Sequence, residues 1–125
     1  MTIAMISIDF LRWSKQKLRT VDALQSQNNE LKRQLSEILI HDLDRDTLEK
    51  LEQFQTQILY KDITFSLLRH ELLMHMNGWG KDGLNDELSD RQQHKFEQDL
   101  LRMEMEIIRM YTELENLKRI NKWSA

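Results

Sequence analysis

The chain contains 125 residues, of which 40% are hydrophobic and 31% are charged, with a formal net charge of −3 at pH 7. This size predicts a single domain, and the slightly acidic balance lacks the positive field that binding to duplex nucleic acid requires. Because cysteine is absent, disulfide bonds and thiolate chemistry are excluded.

The N-terminal segment is largely apolar and has neither a basic region nor a cleavage site. Charged residues soon interrupt it, so we expect no signal peptide and no membrane span, and we expect a cytoplasmic location. Ile3, Ile6, Phe10 and Trp13 recur at helical spacing. This spacing favours the first turns of a core helix over a helix that lies on a membrane surface.

The first predicted helix covers about residues 8–40, and its apolar stripe alternates spacings of three and four residues. The stripe contains Val21, Leu24, Asn28, Leu31, Leu35 and Ile38. Such spacing is the a/d seam of a coiled coil. We therefore predict that this face of the helix packs in the core.

Asn28 at an a position makes this segment resemble a leucine zipper, in which a buried Asn pair fixes the register of a parallel dimer. Basic residues lie upstream, so the resemblance implies a dimeric, DNA-binding regulator. The family's base-reading asparagine, alanines and arginine are absent, and Trp13 interrupts the basic run. We favour Asn28 as a polar residue at the rim of an intramolecular bundle, and we retain it as a candidate interaction residue.

The second predicted helix covers about residues 46–77, with Asp44 or Asp46 as its N-cap. One apolar stripe contains Leu51, Phe54, Ile58, Phe65, Leu68 and Leu72. A second, adjoining stripe contains Leu59, Ile63, Leu67 and Met74. Because two faces are apolar, we predict that this helix lies centrally or that its second face contacts another chain.

His70 lies on the second helix in the segment Arg69–Leu72, which reads Arg-His-Glu-Leu. The segment resembles the phosphoaccepting helix of histidine kinase dimerisation domains, and this resemblance implies phosphotransfer at His70. The arginine, small residue and proline that usually follow in the family are replaced by Leu-Met-His.

His75 comes one residue too late for the His-Glu-x-x-His motif of zinc proteases. We predict that His70 is partly buried and hydrogen-bonded to a neighbour, and we expect no metal or cofactor.

All three glycines lie in one short loop, Gly78, Gly80 and Gly83, and proline is absent. Trp79 lies in this loop and is a candidate interaction residue, although packing against Trp13 at one end of the bundle is the favoured arrangement.

The third predicted helix covers about residues 86–122, and Ser89 with Gln92 has the spacing of a capping box. Its stripe contains Leu100, Met103, Ile107, Met110, Leu114 and Leu117, and we expect Leu101, Ile108 and Tyr111 to widen it. Charged residues such as Lys118 are left for solvent.

Together these patterns predict one all-α domain over residues 1–125, an elongated antiparallel three-helix bundle in up-down-up order with coiled-coil-like packing. No coherent catalytic constellation is present in the sequence. We therefore predict a non-catalytic adaptor, assembly or oligomerisation module that forms a homodimer and binds an unidentified protein partner. The alternatives are a signalling module with phosphotransfer at His70 and a dimeric nucleic-acid-binding regulator.

Overall fold

The computed structural model describes residues 7–77 and 87–121. Within these ranges it contains three α-helices and no strand: α1 (Ile8–Leu39), α2 (Arg45–Met76) and α3 (Asp90–Ile120). The predicted all-α three-helix bundle is confirmed, and the largest difference in bounds is the later start of α3. The loop that contains Trp79 lies outside the described residues.

α1 is the helix that both others pack against, whereas α2 and α3 approach each other less closely. Of the two alternatives predicted for the second helix, the central position is therefore wrong, and the contact of its second face with another chain stays a prediction. The Trp13 indole donates a hydrogen bond to Glu97 at 2.6 Å, and the Tyr111 hydroxyl donates to the Gln27 carbonyl oxygen at 3.3 Å. Since residue numbers increase in the same direction along both helices, α1 and α3 run parallel, as up-down-up order requires.

Each helix begins at a polar cap that accepts a hydrogen bond from the first turn. The Ser7 hydroxyl accepts from the Phe10 amide at 3.1 Å, and the Asp44 carboxylate accepts from the Thr47 amide at 2.8 Å. Ser89 forms the predicted capping box, in which its hydroxyl and the Gln92 side chain each accept from the other's backbone amide. These caps satisfy amides that have no partner inside the helix.

A single apolar core runs along the bundle. Its fully buried members include Leu31, Ile38, Leu51, Ile58, Phe65, Leu72, Ile107, Met110 and Leu114. All six members of the predicted α1 stripe are buried, including Asn28. The stripes therefore identify the inward faces of α1 and α3, and on α2 the first stripe is the one that faces the core.

Four sequence-based predictions on α3 need correction or refinement. Leu101 and Ile108, expected to widen the core stripe, are more than half exposed. Leu117 is partly buried and packs against the core cluster. Lys118, expected in solvent, is buried, and its ammonium lies 3.7 Å from the Glu115 carboxylate. A lysine stem carries enough methylene groups to cover apolar surface while its charged end stays near the periphery.

Candidate protein–protein interface

A polar cluster lies between α1 and α2. The Asn28 amide donates to the Ile58 carbonyl oxygen and to the Asp62 carboxylate, both at 2.9 Å. Gln25 donates to the same carboxylate oxygen at 2.8 Å, and the Lys32 ammonium contacts the other oxygen at 2.5 Å. One carboxylate of α2 therefore accepts hydrogen bonds from three side chains of α1.

Asn28 is fully buried within this cluster, so the prediction that it lies at the rim of the bundle is wrong. Its hydrogen bonds go to residues of the same chain. We call this contact between α1 and α2 the α1–α2 seam; its members are Gln25, Asn28 and Lys32 of α1 and Ile58 and Asp62 of α2. Burial by itself would raise the pKa of Asp62, but hydrogen bonds from Lys32, Gln25 and Asn28 outweigh this effect and lower it. The cluster stabilises the charged form of Asp62 and fixes which residues of α1 and α2 lie opposite each other.

The outward face of α2 carries an exposed apolar stripe, which we call the α2 stripe. It consists of Leu59, Tyr60, Ile63 and Leu67, whose exposed fractions lie between 51% and 70%. Three of these residues belong to the second stripe predicted from the sequence. Since neither α1 nor α3 covers them, the α2 stripe is a candidate contact surface.

A groove separates α2 from α3 beside the α2 stripe. It is lined by Thr56, Gln57, Tyr60, Lys61, Thr64, Arg102, Met103, Glu106 and Arg109. The Lys61 ammonium forms an ion pair with Glu106 at 2.7 Å, and Lys50 pairs with Glu113 at 2.9 Å. These two pairs join the antiparallel helices, and the wider spacing between their backbones leaves the groove open.

The outward face of α3 carries a second set of exposed apolar residues. Leu101, Met105 and Ile108 have exposed fractions between 54% and 63%. Together with Gln98, Leu101 and Met105 line a shallow groove along the helix. Met105 was not singled out from the sequence, although its spacing of four residues after Leu101 and three before Ile108 could have revealed it.

His70 is exposed on α2, so the prediction that it is partly buried is wrong. Across residues 7–77 and 87–121, no group of three or more His, Cys, Asp or Glu side chains is placed to hold a metal ion. Nor does this part of the chain contain a helix with the sustained apolar length that a bilayer span requires.

The environment of Trp13 is defined, whereas that of Trp79 lies outside the described residues. The Trp13 ring stacks on Phe10 with centroids 6.0 Å apart and meets the edge of Phe96 at 5.6 Å. The predicted packing of Trp13 against Trp79 therefore remains a prediction. Trp13 itself packs against Phe10 and Phe96 and so holds the start of α1 against α3.

No protein-family model, curated protein or solved structure matches the chain. The exposed surfaces of α2 and α3 are therefore the features from which function can be inferred.

Proposed function

We propose that this protein is a non-catalytic helical assembly module that acts through protein–protein contacts, both with an unidentified partner protein and with a second copy of itself. The observation that supports this role best is the α2 stripe. Four large apolar side chains stand exposed on consecutive turns of one helix. A contiguous apolar patch of this kind on a folded domain favours association.

The shape and chemistry beside the α2 stripe favour a helical partner. Tyr60 belongs both to the stripe and to the groove between α2 and α3, where its ring and hydroxyl suit an interface that is apolar on one side and polar on the other. An amphipathic helix with apolar residues on one face would match this surface.

The test uses Ile63→Glu, which places a charge in the middle of the α2 stripe. Its matched control is Gln55→Glu, which adds the same charge at another exposed position of α2. We expect the wild type and Gln55→Glu to retain a protein partner from the native host at a stoichiometric level, and Ile63→Glu to lose it. Circular dichroism should show the same helix content in all three proteins. Equal retention by all three would contradict a role for the α2 stripe.

A further inference from the structure

Two rows of opposite charge flank the exposed apolar residues of α3. In heptad terms, Leu101 and Ile108 occupy d positions and Met105 occupies an a position, and these three apolar residues lie between polar residues at the other a and d positions: Arg91, His94, Gln98, Thr112 and Glu115. Over residues 90–109 the g positions, on one side, are acidic, and the e positions, on the other side, are basic. The six flanking residues are Asp90, Glu97 and Glu104 at g, and Lys95, Arg102 and Arg109 at e.

This arrangement distinguishes between the two ways in which α3 could pair with a second copy of itself. In a parallel pair, each g residue lies near the e residue five positions further along the partner helix. Glu97 would then face Arg102 of the second copy, and Glu104 would face Arg109. Asp90 and Lys95 are related in the same way, so every pair is attractive. In an antiparallel pair, g faces g and e faces e, which would bring like charges together.

The fold itself leaves most of these charges available. Arg102 contacts Asp99 at 3.5 Å and Arg109 contacts Glu113 at 4.0 Å, and both are exposed pairs within one helix. Such pairs contribute little to stability and are readily exchanged. Glu104 forms no ion pair within residues 7–77 and 87–121. Glu97 does contact Trp13 and Lys17, but its side chain remains 45% exposed.

We infer that the outward face of α3 binds α3 of a second copy, in parallel and in register, to form a two-fold symmetric homodimer. Leu101, Met105 and Ile108 supply the buried apolar contacts, and the g and e rows select the parallel orientation. The inference rests on the proposed assembly role and adds the interface, the partner and its direction. Because α3 is already folded within the bundle, pairing does not have to order the helix.

The first test exchanges the charges of one predicted pair. In Arg109→Glu, position 109 becomes acidic and faces Glu104 of the second copy. In Glu104→Arg, position 104 becomes basic and faces Arg109 of the second copy. Each variant alone should dimerise at least about tenfold more weakly than the wild type, because both symmetric contacts become repulsive. An equimolar mixture should form a heterodimer of wild-type strength, since both contacts are again attractive.

Analytical ultracentrifugation measures these equilibria, with Arg45→Glu as a control that reverses the charge of an exposed arginine at the start of α2. The control should dimerise like the wild type. A wild type that remains monomeric at hundreds of micromolar would overturn the inference, as would a mixture that fails to recover dimerisation. Dimerisation that is unchanged by Arg109→Glu but lost in Ile63→Glu would move the interface to the α2 stripe. That result would overturn the α3 assignment and leave the proposed assembly role intact.

The second test determines the direction of pairing and benefits from the absence of native cysteine. In a parallel, in-register pair, Gln98 lies opposite Gln98 of the second copy. In an antiparallel pair, a positions lie opposite d positions, so Gln98 would lie opposite Ile108 or Glu115 of the second copy, depending on the register. We expect Gln98→Cys to form an intermolecular disulfide with itself under mild oxidation. Preferential cross-linking of Gln98→Cys with Ile108→Cys or with Glu115→Cys in a mixture would overturn the parallel assignment.

Discussion

The α1–α2 seam and the outward face of α3 contain similar residues and use them differently. In the seam, the Asp62 carboxylate accepts hydrogen bonds from three side chains of α1, and Asn28 beside it is fully buried. On α3, acidic and basic rows flank apolar side chains that are more than half exposed. In the seam the fold supplies three donors to the Asp62 carboxylate, although the buried Oδ1 of Asn28 has no hydrogen-bond partner among the described residues, whereas the charged rows of α3 are left largely open to solvent.

This difference shows why a heptad pattern does not by itself identify a helix's partner. Asn28 occupies a position that would specify a parallel dimer in a leucine zipper, yet its hydrogen-bond partners lie on α2 of the same chain. The α3 face has a weaker apolar pattern and no partner helix within the bundle. The two surfaces differ in whether another helix of the same chain supplies hydrogen-bond partners to their polar side chains.

The largest effect is expected from truncating the buried side of α3. Ile107 is fully buried, whereas its neighbour Ile108 is 54% exposed and belongs to the outward face of α3. We expect Ile107→Ala to reduce the free energy of unfolding by about 2–5 kcal/mol, because it removes methyl groups from a packed core. Ile108→Ala should change it by less than about 0.5 kcal/mol. Urea denaturation of dilute samples measures both values, and similar losses in the two variants would contradict the assignment of the faces.

Much of the bundle was predictable from the sequence because local patterns determine it. The α1 stripe identified the buried face of that helix, and the spacing of Ser89 and Gln92 identified the capping box of α3, although the predicted helix began a few residues earlier. α2 was harder, because its two apolar stripes look alike in sequence. Which of them faces the core depends on where α1 and α3 lie, and this is a property of the whole fold.

The candidate surfaces were less predictable, for a similar reason. Asp62 lies 34 residues after Asn28 in the sequence, and no local pattern connects the two residues. His70 was expected beside buried neighbours, but Leu67 next to it belongs to the exposed α2 stripe. The charge rows on α3 were visible in the sequence. They indicate a partner only when the structure shows that the apolar residues between them are uncovered.

A smaller loss of stability is expected when Asn28 is removed from the α1–α2 seam. Asn28→Ala deletes hydrogen bonds to the Ile58 carbonyl oxygen and to Asp62, and leaves the buried carbonyl oxygen and the partly buried carboxylate with fewer donors. We expect the free energy of unfolding to fall by about 1–3 kcal/mol. Gln27→Ala, at an exposed neighbouring position of α1, should change it by less than about 0.5 kcal/mol. Equal effects in urea denaturation would show that the seam does not depend on the cluster.

The smallest effect concerns the pH dependence of the same seam. The pKa of Asp62 is lowered in the folded state, because the hydrogen bonds from Lys32, Gln25 and Asn28 outweigh the opposing effect of burial. In the unfolded chain the pKa returns to about 3.9. The charged carboxylate therefore adds stability above about pH 4 that is lost as the pH falls through the folded-state pKa.

Asp62→Asn isolates this contribution, since asparagine cannot ionise and offers one carbonyl oxygen in place of two carboxylate oxygens. We expect the wild type to be more stable than Asp62→Asn at neutral pH, and the difference in stability between them, the gap, to narrow as the pH falls below about 4.

Hydrogen bonds from Arg33 to Glu30 and from Thr47 to Asp44 also lower the pKa values of the Glu30 and Asp44 carboxyl groups. Both proteins retain these groups, so their effects cancel in the difference. Asp42→Asn makes the same change at an exposed site in the connection between α1 and α2 and provides the matched control. Thermal unfolding followed by circular dichroism across this range gives the comparison. A gap for Asp62→Asn that stays constant with pH would mean that the charge of Asp62 does not stabilise the seam, and that its hydrogen bonds alone hold α1 and α2 in register.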